Sequence, residues 1–193
     1  MRIACIVEGY GEVEALPLLI RRIGSCCDPP TYPDVPRPIR IPASKLRKSE
    51  ELARAVQLAA SIAGAGGSVL VLLDADDDCP AEVGPAMLEE VGRRADVTVS
   101  VVLAKCEFEA WFLAAAESLR GERGLGGDLV SPGDPEAIRG AKEWLRDKMT
   151  GGATYSETLD QPAFTARFDL DAARRADSFD KCFREIRQLL GCS

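Results

Sequence analysis

Short runs of Val, Ile and Leu alternate with stretches whose apolar residues recur at helical spacing, and this alternation repeats four times before residue 119. Arg2–Val7 predicts a first strand, and Glu8-Gly9-Tyr10-Gly11-Glu12 a tight turn into a helix carrying Leu16, Leu18, Leu19, Ile20 and Ile23. Arg37–Pro42 predicts a short second strand, which Pro38 and Pro42 confine to an edge. Ser49 reads as the cap of a helix running to about Ala63, stopped by Gly64–Gly67. Ser68–Asp78 is an apolar run ending in Asp74, Asp76, Asp77 and Asp78, the pattern of a strand buried on both faces with acids at its carboxyl end. Pro80 opens a helix over Ala81–Ala95, Asp96–Ala104 is a fourth strand, and Ala110–Leu119 is helical.

Strands alternating with helices predict a parallel sheet covered on both faces, a Rossmann-like α/β core over residues 1–119. Beyond Gly-rich Arg120–Gly133 the pattern is helical but looser, and residues 120–193 read as an extension packed on the same domain. There Asp134-Pro135-Glu136 starts a helix through Trp144 and Leu145, Thr150–Asp169 reads mostly as loop, and Ser178 caps a last helix, Phe179–Leu190.

Three strand exits carry acids: Glu8 with Glu12, Asp74 with Asp76, and Glu107 with Glu109. In a parallel sheet those exits share one edge, so the acids converge. Like charges brought together repel unless a cation holds them. Hard oxygen ligands of this kind suit Mg²⁺, or Mn²⁺ in its place, and two such ions are a recurring device for phosphodiester cleavage. The competing reading of Asp74 and Asp76 is a solvated acidic turn at the start of the next helix.

Charge adds one feature. The net formal charge is −7, yet Arg37, Arg40, Lys45, Arg47 and Lys48 form a cationic block with no acid among them, either a phosphate contact for DNA or RNA or a solvated loop. With no histidine, a general base must come from a carboxylate, a lysine or metal-bound hydroxide. Lys105 and Lys181 are candidates to steady a phosphorane-like charge. Trp111, Phe112 and Leu113 read as core rather than a base-stacking platform, and Ser178 as a cap rather than a nucleophile. The seven cysteines lack paired zinc-site spacing, and their odd number, without an N-terminal apolar leader, predicts free thiols in a reducing cytoplasm. No apolar run reaches the ~20 residues of a membrane span.

Glu8 in V-E-G-x-G-E, Glu12 within it, and the later Asp74-x-Asp76 resemble the Toprim domain of topoisomerases, primases and the overcoming-lysogenization-defect nucleases. Glu107-Phe-Glu109-Ala-Trp111-Phe-Leu113, Leu159-Asp160-Gln161-Pro162 and Ser178-Phe179-Asp180-Lys181 are similar to uncharacterised bacterial Toprim-like proteins, a resemblance that spans nearly the whole chain. It implies Glu8 as general acid/base or metal ligand, Asp74 and Asp76 as Mg²⁺ ligands, Glu12 as the second acid of the nuclease branch and Glu109 as a further ligand. The function implied is a Mg²⁺-dependent nuclease or related phosphotransfer enzyme acting on nucleic-acid phosphodiesters. The alternative is a noncatalytic module that binds metal, nucleotide or a partner protein encoded nearby, within a defence or repair system.

Overall fold

The computed structural model describes residues 1–92 and 95–192. Four parallel strands lie in the order β2-β1-β3-β4: β1 Ile3–Val7, β2 Ile39–Arg40, β3 Ser68–Asp74 and β4 Thr98–Ala104. β2 is the short edge strand, as Pro38 and Pro42 require. The central strand β3 is buried along its whole length, as its unbroken apolar run demands.

Alternate residues serve the two faces. Ile3, Cys5 and Val7 of β1, Leu70 and Leu72 of β3, and Val102 and Ala104 of β4 join one core. Ala4, Ile6, Val69, Val71, Leu73, Val101 and Leu103 join the other. The second face is covered by α2 (Ala43–Leu46), α3 (Ser49–Ala63) and α4 (Pro80–Gly92). α1 (Tyr10–Ser25) and α5 (Ala110–Ala114) cover the first, together with the chain beyond residue 120: α6 (Ala141–Asp147), α7 (Glu157–Thr165), α8 (Leu170–Ala173) and α9 (Asp177–Leu189). Residues 120–192 therefore share the main core. Edge-to-face rings carry the join, Phe112 meeting Phe164 and Phe168 at centroid distances of 5.6 and 5.5 Å, and Trp111 meeting Phe179 at 5.2 Å. Among the described residues no helix is long and apolar enough to cross a membrane.

Several local expectations are corrected. Thr150–Asp169, expected as loop, contains α7, whose helical signal is masked by Pro162 and which is held by packing along α1. The helix expected from Asp134 is a single 3-10 turn, Pro135–Ala137, capped by Asp134, and the chain breaks at Gly140 (φ 73°) before α6 begins. The helix expected over Ala110–Leu119 breaks at Ala115, and Ala116–Leu119 is a 3-10 turn. Ser49 is the first residue of α3 and makes no side-chain cap. Ser178 lies inside α9, where its hydroxyl accepts Trp111 Nε1–H at 2.8 Å and the Lys105 N–H at 3.1 Å. The first turn of α9 is satisfied from elsewhere: the N–H groups of Asp177 and Ser178 donate to the Glu136 carboxylate at 3.0 and 3.1 Å. The helix expected over Ala81–Ala95 is α4 to Gly92; residues 93 and 94 lie outside the described residues.

Not every thiol is free, contrary to expectation. Cys27, after α1, is disulfide-bonded to Cys192, after α9, across 165 residues of sequence, a proximity created by α9 packing on α1. Cys5, Cys26, Cys79, Cys106 and Cys182 are free.

Candidate functional site

Glu8 is the residue after β1, Asp74 the last of β3, and Glu109 follows β4 by one turn, so the parallel sheet delivers all three to one edge. Glu12 enters from the first turn of α1. Burial is deep: Glu109 is 0%, Glu12 4% and Asp74 6% exposed, and Glu8 is half-buried. The Gly9 and Gly11 pair makes room for this. A methyl on Gly9 would overlap Glu12 Oε2, and one on Gly11 would overlap Gln161 Oε1 of α7. The two glycines let the start of α1 close against α7.

Partners of the buried acids are few. Asp74 Oδ1 accepts the Phe108 N–H at 2.8 Å. Glu109 Oε1 accepts the Tyr155 hydroxyl at 2.7 Å and Gln161 Nε2–H at 3.5 Å. Lys142 Nζ, from α6, stands 3.8 Å from Glu109 Oε2 and 3.5 Å from Glu157 Oε2. Glu107, on the rim, accepts the Lys142 backbone N–H at 3.2 Å. Four buried oxygens, Glu8 Oε2, Glu12 Oε2, Glu109 Oε2 and Gln161 Oε1, have no hydrogen-bond partner.

Withdrawing carboxylates from water beside one another favours their protonated forms. Burial, then the charges of Glu12 and Asp76, push Glu8 up to about 7. Burial pushes Glu109 up to about 7 even though Lys142 and the Tyr155 hydroxyl pull the other way. Asp74 is raised well above the usual range by burial and by Glu109, Glu12 and Glu8, and Glu12 is raised chiefly by burial. Burial acts to discharge Lys142, but Glu109, Asp74, Glu157 and Glu107 outweigh it and hold the ammonium charged.

The four aspartates after β3 divide. Asp74 points inward, whereas Asp76 (φ 52°), Asp77 and Asp78 are exposed. Arg47 pairs with Asp78 and reaches Asp76 Oδ2 at 3.4 Å and the carbonyls of Asp74 and Ala75, each at 3.4 Å. Arg139 pairs with Asp77. Asp77 and Asp78 thus anchor the loop to two arginines, and Asp76 stands on the rim beside Arg47.

The rest of the cationic block disperses. Arg37 pairs with Glu14 at 2.7 Å; Arg40 donates to the Glu8 carbonyl at 3.3 Å and lies over the Tyr10 ring at 4.0 Å; Lys45 and Lys48 are exposed. Lys105 is exposed, and Lys181 is held by Glu185 at 3.0 Å. No ion pair joins either to the carboxylates among the described residues. The cation that reaches them is Lys142, and with Tyr155, Glu157 and Gln161 it completes the site. All four come from residues 140–161; only Gln161 carried a signal in the sequence, as part of Leu159-Asp160-Gln161-Pro162.

The donor set fits a hard divalent cation in kind: buried carboxylate oxygens that make no hydrogen bond. Among the described residues, however, no three of the acids stand gathered as a ready coordination shell. An ion here would be held by Glu8, Glu12, Asp74, Glu109 and, from the rim, Asp76, after their side chains draw together.

No curated protein and no solved structure matches the chain. A family profile does, over residues 7–187, a span that takes in every residue of the carboxylate cluster. The chain belongs to the DUF4276 family, a domain of unknown function.

Proposed function

We propose that the chain is a Mg²⁺- or Mn²⁺-dependent nuclease or related phosphotransfer enzyme acting on nucleic-acid phosphodiesters, with a Toprim-like arrangement of acids. The observation that carries this reading is the convergence of Glu8, Glu12, Asp74 and Glu109 at one sheet edge, with the Oε2 atoms of the three glutamates buried and without a hydrogen bond. Structural carboxylates are ordinarily paired when buried, and leaving several orphaned costs stability that a function has to justify. A divalent ion, when bound, supplies charge neutralisation at the phosphoryl oxygens and lowers the pKa of a bound water.

The chain's own residues supply the rest. Glu8, half-buried just after β1, serves as general acid/base or as a ligand of the ion. Tyr155 orients Glu109 through its 2.7 Å hydrogen bond, and the Lys142 ammonium, beside Glu109, is placed to meet a phosphoryl oxygen. Arg47 holds the Asp76–Asp78 loop at the rim.

The test is cleavage of single- and double-stranded DNA and RNA with Mg²⁺, Mn²⁺ or chelator, comparing wild type with Asp74→Asn and Glu8→Gln. Cation-dependent cleavage lost in both variants is expected. Wild type no faster than the variants on every substrate overturns the reading. One observation favours a second reading, a noncatalytic binding module: Lys142 and raised carboxyl pKa values already neutralise much of the site's charge. Calorimetry that finds tight Mg²⁺ or nucleotide binding without turnover selects it.

A further inference from the structure

A cleft of about 890 Å³ opens at the far end of α1 from the carboxylates. Glu12 lies in the first turn of α1 and Arg22, in the cleft wall, in the last, ten residues on or ~15 Å along the axis. Five arginines line it: Arg22, Arg167, Arg174, Arg184 and Arg187, against two acids, Asp169 and Asp171. Asp180 and Glu122 pair with three of these arginines, so among the described residues the balance is five arginines against four acids, a slight cationic excess in a chain of net charge −7, and the field near a site matters more than the sum.

Three of the arginines, Arg167, Arg174 and Arg184, are fixed through Nε. Arg22 is structural, donating through both terminal nitrogens to the carbonyls of Thr165 and Phe168 at 2.7 and 2.8 Å. Arg174 and Arg184 are each held by Nε on one oxygen of Asp180, at 2.7 and 2.8 Å, and Arg167 by Nε at 3.2 Å from Glu122. A guanidinium anchored at Nε keeps its four terminal N–H donors, in a planar fork that matches phosphate oxygens. Asp169 is occupied at home, its Oδ1 accepting the N–H groups of Asp171 and Ala172. The side chains of Arg167 and Arg184 are 65% and 66% exposed.

The apolar part of the wall says what is not read. Phe183 and Leu170 are 6% and 8% exposed, and the Phe183 ring is covered by the guanidinium groups of Arg174 and Arg187 at 4.8 and 5.9 Å. No bare aromatic face lines the cleft among the described residues, so it offers a base no aromatic slot to stack in. A mononucleotide site needs such a slot; a site that grips successive phosphates needs only spread cationic donors. We infer that this arginine cleft binds the phosphate backbone of a nucleic-acid strand, without base recognition, as an anchoring site separate from the carboxylate cluster. The inference shares with the proposed activity the class of macromolecule but does not depend on cleavage.

Fluorescence anisotropy with a labelled single-stranded oligonucleotide, in chelator and on an Asp74→Asn background, tests it apart from catalysis. The double variant Arg167→Gln/Arg184→Gln, both residues being exposed, is expected to bind at least ~5-fold more weakly, with the slope of log affinity against log salt reduced by about 1.4 between about 50 and 200 mM. The double variant Arg2→Gln/Arg54→Gln, at exposed arginines paired with Asp34 and with Glu50 and Glu51, serves as the equal-charge control and leaves affinity unchanged. Equal affinity and slope for the double variant and the control overturn the inference, as does mononucleotide competing as well as the oligonucleotide. Cleavage lost in Asp74→Asn while arginine-dependent binding persists supports both readings; binding that persists when wild type never cleaves supports the cleft and removes only the proposed activity.

Discussion

Tyr155 and Lys142 hold the one buried acid that is fully withdrawn from solvent, Glu109. The hydroxyl and the ammonium both favour ionised Glu109, so removing either raises its pKa further. Tyr155→Phe is expected to lower unfolding free energy by about 1–3 kcal/mol at pH 8, where Glu109 ionises, and by less at pH 5.5, where it is protonated. Urea unfolding at the two pH values reads this; an equal loss at both means the hydroxyl acts through packing alone. Asp74 differs from its neighbours for an equally local reason. It ends the buried strand and must face inward, whereas Asp76, Asp77 and Asp78 have left the sheet and meet Arg47 and Arg139 in solvent.

The α1–α7 contact is the element on which the site's second half depends. Gly9 and Gly11 were legible as a turn, but their tighter role is steric: they admit Glu12, Glu157 and Gln161 side by side. Gly11→Ala places a methyl against Gln161 Oε1 and 2.9 Å from Glu157 Cγ, forcing α7 outward. An overpacking loss of about 1–3 kcal/mol is expected, together with weaker cation binding by calorimetry. Gly127→Ala, which meets no atom within 4 Å, is the matched control and should stay within ~0.5 kcal/mol of wild type. A Gly11 variant indistinguishable from the Gly127 variant would show that α7 does not brace the site.

At the scale of the whole molecule the buried acids tie stability to pH. Glu8, Glu12, Asp74 and Glu109 all titrate higher in the folded chain than their ordinary values, so protonation favours folding. The contribution of Glu8 and Glu109 is fully present below their ordinary value of 4.5 and is lost as pH rises through about 7, and Glu12 and Asp74 act in the same direction. The acids with lowered values, Glu117, Asp180 and Glu185, act oppositely, but below 4.5. The midpoint of thermal unfolding is therefore expected to fall from pH 5.5 to pH 8 in chelator. Mg²⁺ or Mn²⁺ should restore it more at pH 8, because an ion competes with protons for the same oxygens. A midpoint that rises over this range, or a cation effect no larger at pH 8, contradicts that account.

The hydrophobic pattern alone determined the layered parallel sheet, the edge position of β2, the burial of β3 and the placing of Glu8, Asp74 and Glu109 at strand exits, since strand period and strand ends are local properties. Only the tertiary structure decided which charges meet. Lys142, Tyr155, Glu157 and Gln161 arrive from a segment whose helix α7 carries Pro162 and takes its stability from α1. The cationic run from Arg37 to Lys48 is contiguous in sequence yet spread over Glu14, Tyr10 and the β3 loop, while the cleft brings Arg22 of α1 beside Arg167, Arg174, Arg184 and Arg187 from near the other end of the chain. Pairing of charges and of Cys27 with Cys192 depends on long-range packing of α1, α7 and α9, and no local period records it.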